Sequence, residues 1–349
     1  MVQGGPAVQL MVIVVTVAGL WVGARLLVDS VVRLARRIGL SELTIGLTIV
    51  AAGTSTPELV VTTDAALQGL GNIAVGNVVG SNIYNLSFIL GVVSLIRLIP
   101  IERSLVHRDG IVLIASTLLG GVVLLDTTVT RLEGLAFVSL YVLYTVYLLR
   151  TGGDTATTDG QSPAASSERD DADQHPPTEA GEESTAPPAI PTALTDGVAS
   201  RGRDVGFVIV GLAIVLVSGD FLVGAATNLA RGAGISDWVI GGTIVAAGTS
   251  TPEFSVSLVA MRRGRIGVSV GNVVGSNVFN MFAVLGLGAV IRPLVPSPAA
   301  LETLAWLVVI SVVLVAALWT GRKLSRLEGG LFALSEAVRW VLGLLGMFN

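Results

Sequence analysis

Two carboxylates stand inside strongly apolar sequence, each at the end of the same string. Thr48–Glu58 reads TIVAAGTSTPE, and Thr243–Glu253 repeats it without a change. Pro57 lacks an N–H for the helix ladder, and its ring clashes one turn back, near Gly53. Thr56, before the proline, is pushed away from helical backbone angles. The helix should therefore break around 51–56, and the copy at Gly248–Pro252 should break likewise. Freed carbonyls at membrane depth are tolerated only where they line a cavity or bind something. Thr54, Ser55, Thr249 and Ser250 add hydroxyls, and Glu58 and Glu253 add charge. A second pair of strings, GNVVGSNIYN from Gly76 and GNVVGSNVFN from Gly271, adds Ser81, Asn82 and Asn85 and their copies Ser276, Asn277 and Asn280. Residues four apart share a helix face. Asn77, Ser81 and Asn85 therefore line up, as do Asn272 and Ser276.

Every donor in this set is oxygen. With no cysteine in the chain, and only His107 and His175 outside the apolar runs, sulfur and imidazole ligands are excluded. Hydroxyl, amide, carbonyl and carboxylate oxygens suit hard cations such as Ca²⁺ or Na⁺, whereas Mg²⁺ dehydrates reluctantly. Two glutamates balance one Ca²⁺. Single Ser or Asn residues in spanning helices are more often interhelical contacts than ligands, and Asn77 and Asn82 taken individually read that way. An intramembrane Glu costs about 2.5–3.5 kcal/mol on insertion scales for a comparable central charge. Two at matched positions, each beside a broken helix, read as one ion site. Arg25 and Asp29, four apart, are expected to pair with each other.

The elements that must hold these residues follow from composition and hydropathy. Only 13% of the residues are charged and 52% are hydrophobic, against about 25% charged in soluble domains. The chain reads as an all-α polytopic membrane protein. Runs near 8–32, 43–68, 72–96, 110–126, 132–150, 205–229, 238–261, 266–291, 301–320 and 329–347 are long enough to span. The N-terminal run lacks a basic start and a small-residue cleavage site, and reads as the first span. Both motifs recur at one offset of 195 residues, so the chain carries an internal duplication. The division is an N-terminal five-helix repeat over 1–150 with its motif region at 43–96, a linker over 151–203, and a C-terminal five-helix repeat over 204–349 with its motif region at 238–291. An odd number of spans per repeat demands opposite orientations, so the expected architecture is ten transmembrane helices in two inverted repeats. The linker is acidic and rich in Ser, Thr and Pro, and is expected to be disordered.

Loop charges set the orientation. With the N-terminus outside, the cytoplasmic ends hold Arg33, Arg36, Arg37, Arg97, Arg103, Arg108, Arg150, Arg201, Arg203, Arg262, Arg263, Arg265, Arg322, Lys323 and Arg326, and the outer loops hold Arg131, Arg231 and Arg292. Both termini are expected outside a cell membrane, with the linker in the cytoplasm.

The two motifs, each present twice and in order, resemble the α-repeats of the cation/calcium exchanger superfamily, in its sodium/calcium exchanger branch of prokaryotic type. The resemblance covers both five-helix halves. It implies a midplane site in which Glu58 and Glu253 bind both Ca²⁺ and Na⁺, with hydroxyl ligands at Thr54, Ser55, Ser81, Thr249, Ser250 and Ser276, carbonyl ligands at Ala51 and Ala246, and an amide at Asn85. At the position of Asn280 the exchangers often carry Asp, so this chain has one titratable carboxylate fewer.

The expected function is secondary active antiport of Na⁺ against Ca²⁺ by alternating access. The motif-bearing helices form a core, and the first and sixth helices slide across it. A proton/calcium antiporter using the same two glutamates and a cation channel are the alternatives. The duplication within one chain argues against a pore assembled from several chains. No enzyme activity, cofactor or nucleic-acid partner is expected. The partners are the lipid bilayer and the transported ions, and a monomer is the working expectation.

Overall fold

The computed structural model describes residues 5–100, 105–151, 193–233, 246–296, 299–321 and 323–344. Among them the chain is almost wholly helical. Helix α1 (Pro6–Ile38) begins with proline in its first turn, where the missing N–H costs nothing, and ends at Gly39 in the left-handed region (φ 71°). Helices α2 (Glu42–Thr54) and α3 (Thr56–Gln68) form one pair bent by 47°. Then come α4 (Gly71–Ile96), α5 (His107–Leu124) and α6 (Arg131–Thr151). Helix α7 covers Ala193–Gly232 and so begins inside the stretch read as linker; residues 152–192 of that stretch lie outside the described residues. The second half continues with α8 (Ala246–Thr249), α9 (Thr251–Arg262), α10 (Ile266–Ile291), α11 (Ala299–Gly321) and α12 (Arg326–Leu344).

Helices stand at all ten expected positions, although the start of the seventh lies outside the described residues. By length and apolar composition six of the described helices suffice to cross a membrane, or seven if α2 and α3 count as one span. Burial is inverted relative to a soluble fold. Leu10, Met11, Val14, Val15, Trp21 and Val22 of α1 are exposed, while Glu58, Ser81, Asn85, Glu253, Ser276 and Asn280 are buried. That distribution suits lipid outside and a polar site within.

Small residues set the closest helix contacts. A Cβ on Gly275 of α10 would lie 2.5 Å from the Leu47 carbonyl oxygen, and one on Gly271 would lie 2.7 Å from that of Leu43. Glycines four apart on α10 thus let the first arm of the broken pair lie against it, backbone to backbone. Helices α1 and α7 meet in the same way at Gly23 and Gly211. Asp204, buried, joins them at one end through Arg33 (2.9 Å) and Arg37 (3.2 Å). The expected pairing of Arg25 with Asp29 is not what forms. Asp29 pairs with Arg263, just past the end of α9, and the Arg25 guanidinium sits 4.9 Å from the centre of the Trp21 ring. Sequence spacing weighs only partners on the same helix, and a tertiary partner wins.

Contacts between the halves come in matched pairs at the 195-residue offset. Strand β1 (Ile99–Pro100) pairs antiparallel with β2 (Lys323–Leu324), Ile99 facing Leu324. The shifted partners, Leu294 and Val129, form an antiparallel bridge of their own. Arg326 donates to the Ile96 carbonyl and Arg131 to that of Ile291, each at 3.4 Å. The following helices open with equivalent capping boxes, Thr130 with Glu133 and Ser325 with Glu328. When residue i meets j′ and j meets i′, the contact has the reciprocity of a two-fold interface.

Candidate cation site

The break at the first motif falls where the residue chemistry demands. Ser55 lies between the arms with φ −80° and ψ 15°, and Pro57 occupies the first turn of α3. Without a proline N–H, the Gly53 carbonyl takes the Thr56 hydroxyl instead, at 2.7 Å. Gly46–Val50, within α2, is wound as π-helix, as are Tyr84–Ile89 and Asn280–Val284. The last two are equivalent stretches, and they start at or one residue before Asn85 and Asn280. Such insertions often mark functional positions in helices.

The breaks bring the two halves together through their glutamates. The Ser250 hydroxyl donates to Glu58 Oε1 at 3.0 Å, and the Ser55 hydroxyl donates to Glu253 Oε1 at 2.7 Å. Each carboxylate is thus held by the serine of the opposite half. Both glutamates are fully buried, and the second oxygen of each, Oε2, has no protein partner. Ser81 also faces Glu58. Thr54 and Ser276 face Glu253, the latter without a hydrogen bond of normal geometry.

Asparagines one helical turn away hold this frame. Asn77 Nδ2 donates to the Glu58 carbonyl (3.1 Å) and to Thr62 Oγ1 (3.0 Å). Its copy, Asn272, donates to the Glu253 carbonyl (3.3 Å) and to Ser257 Oγ (2.9 Å). Asn272 also accepts from the Thr54 hydroxyl at 3.0 Å, joining the halves again. Asn280 Nδ2 donates to Asn82 Oδ1 at 3.2 Å, whereas Asn85 has no partner at either end of its amide. The Ala51 carbonyl accepts the Ser55 N–H at 3.0 Å and, at a long 3.4 Å, the Thr54 hydroxyl. Thr249 is half-buried at the end of α8, and Ala246 is the first residue of that helix.

Buried polar groups in proteins are nearly always satisfied. Among the described residues, the buried side-chain atoms without a hydrogen-bond partner include Glu58 Oε2, Glu253 Oε2, Asn85 Oδ1 and Nδ2, Ser276 Oγ, Asn277 Oδ1 and Asn280 Oδ1. All but one are oxygens. No group of three His, Cys, Asp or Glu side chains comes together among the described residues. Two carboxylates with neutral oxygens around them could hold a hard cation and are not the donors that zinc or copper prefers. Asn77 and Asn82 were legible individually as interhelical contacts, and Asn272 only as sharing a face with Ser276; no local feature announces which backbone or amide they hold. Nothing in the strings SNIYN and SNVFN signals the π-turns.

A helical membrane protein with a buried, all-oxygen site shared between two duplicated halves is the architecture of a cation transporter. The family is identified by comparison: the description that matches residues 8–150 and 204–335 is "Sodium/calcium exchanger protein", and the chain belongs to that family. CaxA of Alkalimonas amylolytica is 35% identical over 300 residues, covering 85% of this chain and 86% of its own. Sodium/calcium exchanger MaX1 of Methanosarcina acetivorans is 31% identical over 331 residues, covering 88% and 90% respectively. A solved structure of the sodium-calcium exchanger NCX_Mj, soaked with 10 mM Na⁺ and zero Ca²⁺, superposes with a TM-score of 0.77 at 26% identity, over 98% of this chain and 99% of that one.

Proposed function

We propose that the protein exchanges Na⁺ for Ca²⁺ across the cell membrane by alternating access at a site centred on Glu58 and Glu253. The observation that carries this reading is the reciprocal pair of carboxylates, each bound by the other half's serine at one oxygen and open at the other. Two negative charges balance one Ca²⁺, or two Na⁺, so either ion set relieves the same buried charge and excludes the other. An empty site leaves two uncompensated buried carboxylates, whose desolvation opposes crossing without cargo. That penalty couples the two ions. The other proposed oxygen donors are Thr54, Ser55, Ser81, Asn85, Thr249, Ser250, Ser276 and Asn280 with the Ala51 and Ala246 carbonyls.

The reading extends to architecture. Reciprocal contacts at one offset, together with five helices in each half, support inverted repeats, and the Lys and Arg distribution supports outer termini and a cytoplasmic 151–203 segment. The α1 and α7 pair, joined to each other by Asp204, is the unit proposed to slide over the core. The family membership, the name of MaX1 and the likeness to NCX_Mj support sodium as counter-ion.

The test is Ca²⁺ uptake by proteoliposomes containing the purified protein. Uptake is expected to follow an imposed Na⁺ gradient and to cease when the gradient is collapsed. Uptake indifferent to Na⁺ but driven by a pH gradient would overturn sodium coupling and leave proton/calcium antiport. Uptake that neither gradient alters would point to a channel.

A further inference from the structure

An amide at position 280 poses a problem that a carboxylate does not. One end of Asn280 is an oxygen that can ligate a cation, and the other is an NH₂ that repels one. The amide must be held the right way round. We infer that Asn82, to which no ligand role is given above, is the positioning residue that fixes it; this rests on the cation site proposed above.

The orientation is set by a chain of bonds that starts on the backbone. The main-chain oxygen of Asn277 can only accept. Asn82 meets it with Nδ2, at 3.1 Å. That choice places Asn82 Oδ1 at the opposite end of its own amide, where it too can only accept. Asn280 meets Oδ1 with Nδ2, at 3.2 Å. The end of Asn280 left over is therefore its oxygen, buried and without a protein partner. Reversing either amide would set two oxygens or two NH₂ groups against each other. A backbone carbonyl thus dictates, through two side chains, that residue 280 offers oxygen.

The equivalent chain is missing in the other half. Asn277, the copy of Asn82, spends its Nδ2 on the Val273 carbonyl of its own helix at 2.7 Å, and its Oδ1 is unpartnered. Asn85, the copy of Asn280, has neither end paired. Asn280 is a fixed oxygen donor, and Asn85 is an amide free to turn with the occupant.

The experiment is a mutant cycle read by Ca²⁺ binding, as the Ca²⁺ concentration giving half-maximal thermal stabilisation of the purified full chain, and by the KM and maximal rate of Ca²⁺ uptake. Asn82→Leu keeps the side-chain size and removes both links. It is expected to raise the half-saturating Ca²⁺ and the KM about tenfold, the worth of one charge-directed polar contact, with the maximal rate of the same order. In an Asn280→Ala background, Asn82→Leu should add nothing further, because the group it positions is gone. In an Asn280→Asp background it should again cost nothing, because both ends of a carboxylate are oxygens. A purely structural role for Asn82 would give the same rise in all three backgrounds, and that result would overturn the inference. If Asn82→Leu does not fold, the same cycle with Asn82→Ala decides it. Wild-type Ca²⁺ binding without Na⁺-driven uptake would overturn sodium exchange and leave the relay standing or falling on the cycle. No Ca²⁺ binding by the wild type would overturn both.

Discussion

Replacing Glu253 by Gln separates the charge of the site from its shape. Gln retains an oxygen to accept the 2.7 Å bond from Ser55, and it has nearly the volume of Glu, so the packing of α9 against its neighbours should survive. What goes is one of two buried negative charges. A bound Ca²⁺ would then face Glu58 alone and carry an uncompensated charge in a site closed to water. Breaking a buried charge pair by removing one partner costs about 3–5 kcal/mol. At about 1.4 kcal/mol per decade, Ca²⁺ affinity should fall by roughly two to three and a half orders of magnitude. Ion-free stability should move the opposite way. Two fully buried carboxylates with unpartnered Oε2 atoms are a liability when nothing is bound, and neutralising one relieves it, so the variant should unfold at a higher temperature than wild type in chelator. At Ca²⁺ a hundredfold above its Kd, the wild type should gain about 2.7 kcal/mol from binding, and the variant almost nothing. The assays are thermal unfolding with and without Ca²⁺ and Ca²⁺ uptake under a Na⁺ gradient. A variant that keeps both the wild-type Ca²⁺ stabilisation and the wild-type uptake would refute the assignment of Glu253 to the site.

Because the serine–glutamate bonds are reciprocal, Ser55→Ala and Ser250→Ala should weaken Ca²⁺ uptake in the same direction and to a similar extent. Each loss should be about tenfold in apparent affinity, from one charge-assisted hydrogen bond of about 1.5 kcal/mol; a large effect in one and none in the other would show that the halves do not share the site equally. Gly275→Ala places a methyl 2.5 Å from the Leu47 carbonyl and 2.8 Å from the Ala51 Cβ, which cannot move without shifting α2, and should destabilise by about 1–3 kcal/mol. Gly121→Ala meets only Leu304 Cδ2 at 3.6 Å and should be tolerated, as thermal unfolding of the two variants will show.

Much of the site was legible because its chemistry is local. Pro57 removes an N–H and Gly53 lacks a side chain, so a break near Ser55 follows from two residues, and the observed bend of 47° lies there. The duplication needed only the recurrence of two strings in one register. Other features had no local sign. The π-turns at Asn85 and Asn280 arise in strings of ordinary helix-compatible residues. Asp29 has Arg25 one turn away, yet pairs with Arg263, which lies 234 positions along the chain. Asn77 looked like a generic contact between helices; it and its copy Asn272 are contacts, but with the backbone of the glutamates themselves.

The sequence by itself determined the inventory: two carboxylates, their hydroxyl and amide companions, the breaks that interrupt the helices, and a second copy of all of these at a constant offset. Apart from the offset, which needs only the recurrence of the strings, each of those is a property of residue type and spacing within a few turns. The tertiary structure decided who holds whom. It gave Glu58 to Ser250 and Glu253 to Ser55, separations of 192 and 198 residues that no helical period encodes. It also let the duplicated sequence differ in use, with Asn280 bound to Asn82 and Asn85 left unpaired. Such pairings depend on how two helices from different halves cross. A hydrogen bond needs its partners placed within a few tenths of an ångström, and only the packed helices set distances that fine.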